Sequence, residues 1–137
     1  MANTFQLSVV APDRTVVETV VISVIAPGTE GYLGVNAGHV PLITSLKTGL
    51  LEYRDEDSQL HLVAVRGGFM EITATSVIVL ADAAMPAQEI NIKDAEARLE
   101  QARKALRGED SSMDSTTALE QIDLAMNQIK AARRKQS

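Results

Sequence analysis

Apolar and polar positions alternate with a period of two near the start of the chain and recur every three to four residues near its end. Phe5, Leu7 and Val9 are separated by Gln6 and Ser8, the pattern of a strand with one buried face, and Pro12-Asp13-Arg14 closes it. Residues 16–26 are almost wholly apolar and β-branched, which predicts a buried strand pair or one long bent strand. Pro27-Gly28-Thr29-Glu30-Gly31 predicts a turn. Residues 50–54 and 59–65 flank Asp55-Glu56-Asp57-Ser58, a hairpin with an acidic tip, and residues 69–72 and 76–81 complete the strand series. Short strands with closely spaced turn signals predict an antiparallel sandwich or barrel, and no stretch before Pro86 carries a long helical pattern.

Beyond Pro86 the period changes. Ile92, Ala95, Leu99, Ala102 and Leu106 form one helical stripe, with Asn91 as N-cap, Gly108 as the C′ residue and Glu100–Lys104 as an i,i+4 ion pair. After a polar connector, with Ser112 or Asp114 available as cap, Ala118, Ile122, Ala125, Ile129 and Ala132 repeat the stripe, widened by Leu119 and Met126. A short polar link between two striped helices predicts an antiparallel hairpin. Seven of the eight glycines and all four prolines precede Ala87, so the chain divides into a β domain over residues 1–86 and a helical domain over residues 87–137. Alanine at about half of the seam positions buries little area, so the hairpin is expected to be marginal and to dock reversibly.

Charge changes the picture for partners. Residues 1–86 hold nine acids and four bases, and residues 87–137 hold nine of each, with Lys130, Arg133, Arg134 and Lys135 following the last acid, Asp123. An acidic front half argues against nucleic acid, which requires a basic face. The basic terminus suits either a helix C-terminal end or an acidic protein partner. The chain has no cysteine, which excludes disulfides, thiolate metal sites and a cysteine nucleophile. The longest charge-free stretch, residues 31–46, is too short and too polar to be a transmembrane helix of roughly 20 apolar residues. The first residues, MANTFQLSVV, lack a basic and apolar leader pattern, so a soluble, intracellular chain is expected.

Catalytic chemistry is scarce. His39 and His61 stand apart, and the alternation of His61 with Leu60 and Leu62 predicts a solvent-facing strand residue. No serine elbow and no paired carboxylates stand out. Glycines 28, 31 and 34 match neither a dinucleotide fingerprint nor a P-loop and are read as turn residues. No metal and no cofactor are expected, and no enzymatic activity.

Three segments carry a resemblance. Gly28-Thr29-Glu30-Gly31-Tyr32-Leu33-Gly34 leads to Gly38-His39-Val40-Pro41-Leu42 and Leu46-Lys47-Thr48-Gly49. Arg66-Gly67-Gly68-Phe69-Met70-Glu71-Ile72 follows, and then Val77-Ile78-Val79-Leu80-Ala81-Asp82-Ala83-Ala84. In this order the segments resemble the signature of the epsilon subunit of F-type ATP synthases, and the likeness spans the whole chain. The resemblance implies a β sandwich of about ten strands that binds the gamma subunit and the c-ring, followed by an antiparallel two-helix hairpin. It implies a non-catalytic rotor subunit of the central stalk, coupling rotation of the membrane ring to proton-driven ATP synthesis. Its mobile helices would inhibit ATP hydrolysis through contacts with acidic segments of the beta subunits. Such a subunit lies peripherally on the cytoplasmic face of the bacterial plasma membrane, or on the thylakoid membrane of a photosynthetic host.

Carried over by position, Glu30, Tyr32 and His39 are candidates for contact with the c-ring or gamma, and Arg133, Arg134 and Lys135 for the inhibitory contacts. Tyr32 stands where many relatives have a carboxylate, and it is alternatively a tyrosine packed on the turn, as His39 is alternatively a turn cap. Some relatives bind ATP through Ile/Leu-Asp-x-x-Arg-Ala at the first tail helix. Here the residues are Ile90-Asn91-Ile92-Lys93-Asp94-Ala95, and Asn91 and Asp94 replace the aspartate and the arginine, so weak or absent nucleotide binding is expected. Without the motifs, composition alone permits a generic adaptor whose hairpin pairs with an unrelated protein. An enzyme built on the glycine-rich loop is the third reading, and it lacks a nucleophile or metal set.

Overall fold

The computed structural model describes residues 3–136. The chain forms two compact units that meet between Pro86 and Ala87. The first contains seven strands: β1 (Phe5–Ala11), β2 (Arg14–Gly28), β3 (Gly31–Val35), β4 (Leu42–Leu46), β5 (Gly49–Asp55), β6 (Leu60–Ile72) and β7 (Ser76–Pro86). The second contains a 3₁₀ turn (Ala87–Glu89), α1 (Ile92–Leu106) and α2 (Ser115–Gln136).

The alternation at the start of the chain becomes β1, where Phe5, Leu7 and Val9 are buried. Residues 16–26 lie in one long strand, β2, whose register against β5 shifts between Val21 and Ser23. That irregularity lets β2 pair with β1 along its first half and with β3 and β5 along its second. The two segments 59–65 and 69–72 also join into one strand, β6, which pairs with β5 at its start and with β4 at its end. β7 opposes β6 over both stretches in one continuous register. Gly67 has φ +61°, a left-handed conformation that glycine adopts without the strain another residue would carry.

Strand bending explains the difference from the count of about ten. Three long strands each serve two sets of neighbours, so the same pairings arise from seven continuous strands. The pairing is antiparallel throughout except between β1 and β7, which run parallel from Gln6/Ser76 to Val10/Leu80. The inward faces of these strands share one core that includes Leu7, Val21, Val24, Leu51, Val65, Met70 and Val79. Truncating one of these leucines to alanine costs about 2–5 kcal/mol. β3 and β4 were not read from the sequence, because each is five residues long and β3 contains two glycines.

In the helical unit Asn91 caps α1 by accepting the Asp94 N–H at 3.0 Å. At the other end the Gly108 N–H reaches the Ala105 carbonyl and the Glu109 N–H reaches the Lys104 carbonyl, with Gly108 at φ +80°. Those paired bonds form a Schellman stop. Asp114 caps α2 by accepting the Thr117 N–H at 2.8 Å. The two helices pack on each other, and the buried residues are mostly alanines: Ala95, Ala102 and Ala105 on α1, and Ala118, Ala125, Ala131 and Ala132 on α2.

Two expectations change here, and one feature is new. Leu106, Leu119 and Met126 are exposed and do not widen the seam; small residues bring the backbones close and leave the bulky ones outside. Glu100 is held by Arg107 at 3.4 Å, and Arg107 also reaches Glu109 at 3.1 Å, so the Lys104 pairing is not the one formed. Asn127 and Gln128 are buried on α2, an unexpected polar pair on a helix face.

Candidate functional site

The β2–β3 hairpin places the first candidate residues. Gly28 and Gly31 pair across a loop of Thr29 and Glu30, which leaves the Glu30 side chain exposed at the tip. The Thr29 and Ser45 hydroxyls lie 2.9 Å apart, and the Thr29 N–H donates to the Ser45 carbonyl, which ties the tip to β4. Between β3 and β4 a cleft of about 540 Å³ opens, lined by Glu30, Tyr32, Leu42, Ile43 and Thr44 among others. The structure therefore brings Glu30 and Tyr32 into one site. His39 lies in the loop between β3 and β4 and is not among the residues that line this cleft.

Tyr32 has a structural role as well. Its hydroxyl accepts the Leu50 N–H at 3.3 Å, and the Lys47 ammonium lies 5.7 Å from its ring centroid. Half of its surface remains open. His39 is held at its turn: its Nδ1 lies 2.7 Å from the Val40 carbonyl, and its own N–H donates to Asn36. The adjoining Gly38 N–H donates to Ala74, fixing this loop against the β6–β7 turn.

The sequence pattern does not single out a group of exposed apolar residues on the β unit. Phe69 and Leu80 are paired across β6 and β7, and Val10 opposes Leu80 on β1. One row further on, Ile78 opposes Glu71, which opposes Ile43. Phe69, Leu80 and Ile43 are 60%, 56% and 69% exposed. Their neighbours Met70 and Val79 are buried, so this row is the outer face of the β1–β7–β6–β4 layer. Phe69, Leu80, Ile78 and Ile43 are thus exposed on one sheet face, with Glu71 between Ile78 and Ile43. The sequence signal was Phe69 and Leu80 at positions that alternation assigns to one face, but alternation alone does not say which face is covered.

His61 is not simply solvent-facing. Its ring stacks on Tyr53 at 4.7 Å, and its Nε2 lies 2.8 Å from an Asp55 carboxylate oxygen. An ionised carboxylate only accepts, so the imidazole N–H is the donor. That bond, first, and the N–H groups of Gln59 and Asp57 hold the Asp55 carboxyl below its ordinary pKa. Burial, then the Asp55 charge, raises the Tyr53 phenol. The group locks the acidic hairpin tip.

Arg133, Arg134 and Lys135 are exposed in the last turn of α2. Arg133 is paired with Glu96 of α1 at 3.4 Å, so part of this basic cluster is engaged while the hairpin is closed. Asn91 is occupied as the α1 cap, and Asp94 follows in the first turn, where a carboxylate complements the helix N-terminus. Among the described residues no cluster of three or more metal-ligating side chains occurs, and no helix is long and apolar enough to cross a membrane.

The chain thus joins a bent β sheet with exposed apolar residues on its outer face to a two-helix hairpin with a basic end. A family model described as the ATP synthase delta/epsilon chain, beta-sandwich domain, matches residues 4–87. The ATP synthase epsilon chain of Desulforamulus reducens is 38% identical over 132 residues, covering 96% of this chain and 99% of that one. That of Moorella thermoacetica is 39% identical over 126 residues, covering 92% and 94%. The chain belongs to the ATP synthase delta/epsilon chain family, as an epsilon chain. Its fold is shared with a chain of the Euglena gracilis mitochondrial ATP synthase (OSCP/F1/c-ring), with a TM-score of 0.73 and 22% identity over 98% of this chain and 82% of that chain.

Proposed function

We propose that this epsilon chain is a non-catalytic subunit of the central stalk, that its β unit grips the rotor, and that its helical hairpin restrains ATP hydrolysis. The single observation that carries the reading is the outer sheet face on which Ile43, Phe69 and Leu80 are exposed, with half-buried Val10 beside Leu80. The gamma subunit is the partner assigned to this face. The cleft that holds Glu30 and Tyr32 is assigned to the polar loops of the c-ring, and His39 contributes by fixing the adjoining loop.

The hairpin supports regulation through its seam. Alanine contacts bury little area per residue, so closed and opened forms differ by a few kcal/mol, within reach of a competing surface. Arg133, Arg134 and Lys135 are then available to acidic segments of the beta subunits. Asn91 and Asp94 serve as cap and first-turn acid, which supports weak or absent ATP binding. A subunit of this kind is peripheral to the membrane, on the cytoplasmic face of a bacterial plasma membrane or on a thylakoid.

Co-purification tests the reading. The chain is expected to hold gamma and the c-ring, and Phe69→Glu with Leu80→Glu is expected to release gamma. Retention of gamma by that variant would reassign the face and favour the alternative, an adaptor gripping its partner through the hairpin.

A further inference from the structure

We propose that the groove between α1 and α2 binds a single-chain amphiphile with an anionic head, of which a medium-chain carboxylate is the simplest example. The groove has a volume of about 520 Å³, within the range of roughly 300–1,000 Å³ typical of small-molecule sites. Leu99 of α1 and Met126 and Ile129 of α2 supply its apolar lining, and Arg103 and Lys130 supply cations from opposite helices.

The two kinds of lining set the chemistry. Neither Arg103 nor Lys130 has a carboxylate partner among the described residues. Glu96, the one acid of the lining, is already paired with Arg133. Met126 is 51% exposed, and its flexible thioether adapts readily to an alkyl chain. A polyphosphate would satisfy the cations and leave Leu99 and Met126 wet. A plain hydrocarbon would cover the apolar residues and leave the cations without a counterion. An amphiphile meets both demands.

Length separates this occupant from a protein helix. From Glu96 to Arg103 the groove follows α1 for about 10 Å, the length of a short alkyl chain and at most two turns of a docked helix. Both helices line the site, so it exists only while the hairpin is closed, and a bound amphiphile favours the closed form by mass action. The inference does not depend on the stalk assignment.

The test is a methyl-detected NMR titration of the full chain with sodium decanoate below its micellar range. Acetate, neutral decyl glucoside, phosphatidylglycerol vesicles and a short Glu-rich amphipathic peptide serve as comparators. The expected result is saturable shifts confined to the methyls of Leu99, Met126 and Ile129, no response to acetate, and binding of decyl glucoside weaker by about tenfold, the weight of a charge-assisted contact. Arg103→Ala with Lys130→Ala is expected to weaken decanoate by about the same factor, and Lys130→Gln alone by less, with the parent's methyl spectrum retained in the absence of ligand. Absence of saturable shifts, shifts centred elsewhere, equal binding of the neutral amphiphile or indifference to Lys130→Gln overturns the proposal. So does occupation of the groove by the vesicles or the peptide without decanoate.

Discussion

Phe69 of β6 and Leu80 of β7 stand directly opposite each other with more than half of each side chain in solvent. Such a cross-strand pair stabilises a sheet by about 0.2–1 kcal/mol, which is small beside the apolar area left in water. On the proposed reading the pair is a contact with the gamma subunit. Phe69→Glu and Leu80→Glu are each expected to weaken binding of the gamma subunit at least about tenfold, or 1.4 kcal/mol, in a pull-down titration. The melting temperature of the isolated chain should change little, since both residues are already exposed.

Gly49 sits beneath Tyr32. A Cβ there would lie 2.6 Å from the Pro27 Cβ and 2.7 Å from the Tyr32 hydroxyl. Gly49→Ala is expected to displace Tyr32 from its bond with the Leu50 N–H and to destabilise the β unit by about 1–3 kcal/mol in urea unfolding. An unchanged midpoint would show that Tyr32 moves freely and has no packing role.

The acidic hairpin tip should respond to pH with a defined sign. The His61 N–H, and then the Gln59 and Asp57 N–H groups, lower the Asp55 pKa in the folded chain. Its contribution is fully present above the unfolded carboxylate value of about 3.9 and is lost as pH falls through the lower folded value. Amide shifts of Asp57 and Gln59 are expected to move together over that window, and Asp55→Asn should abolish the transition.

The basic end of α2 gives a functional prediction. Replacing Arg133, Arg134 and Lys135 with alanine is expected to raise ATP hydrolysis by the reassembled complex several-fold while leaving gamma bound. Equal hydrolysis with and without the three cations would remove them from the inhibitory contact.

How far the sequence carried the fold can be traced to particular residues. Phe5, Leu7 and Val9 announced β1 because one side of that strand meets the core and the other does not. Asn91, Gly108 and Asp114 were legible as helix ends because capping is local chemistry. β6 was read as two strands because Gly67-Gly68 resembles a break, whereas both residues adopt positive φ inside a continuous register. Met126 and Leu119 were placed in the seam because bulky apolar residues usually pack; the alanine contact left them outside. At the candidate site Glu30 and Tyr32 follow from the resemblance and share a cleft, while His39 lies in the β3–β4 loop and does not line it. The Phe69–Leu80 face was invisible because no pattern in one chain says which side of a sheet awaits a partner.

The central claim is that the β unit grips the rotor while the hairpin restrains hydrolysis. ATPase activity of the reassembled complex, compared between the full chain and a chain ending at Pro86, tests it most directly. The account predicts that the shortened chain still joins the complex through gamma and that hydrolysis rises. Hydrolysis that stays at the full-chain level with the shortened chain bound would contradict it.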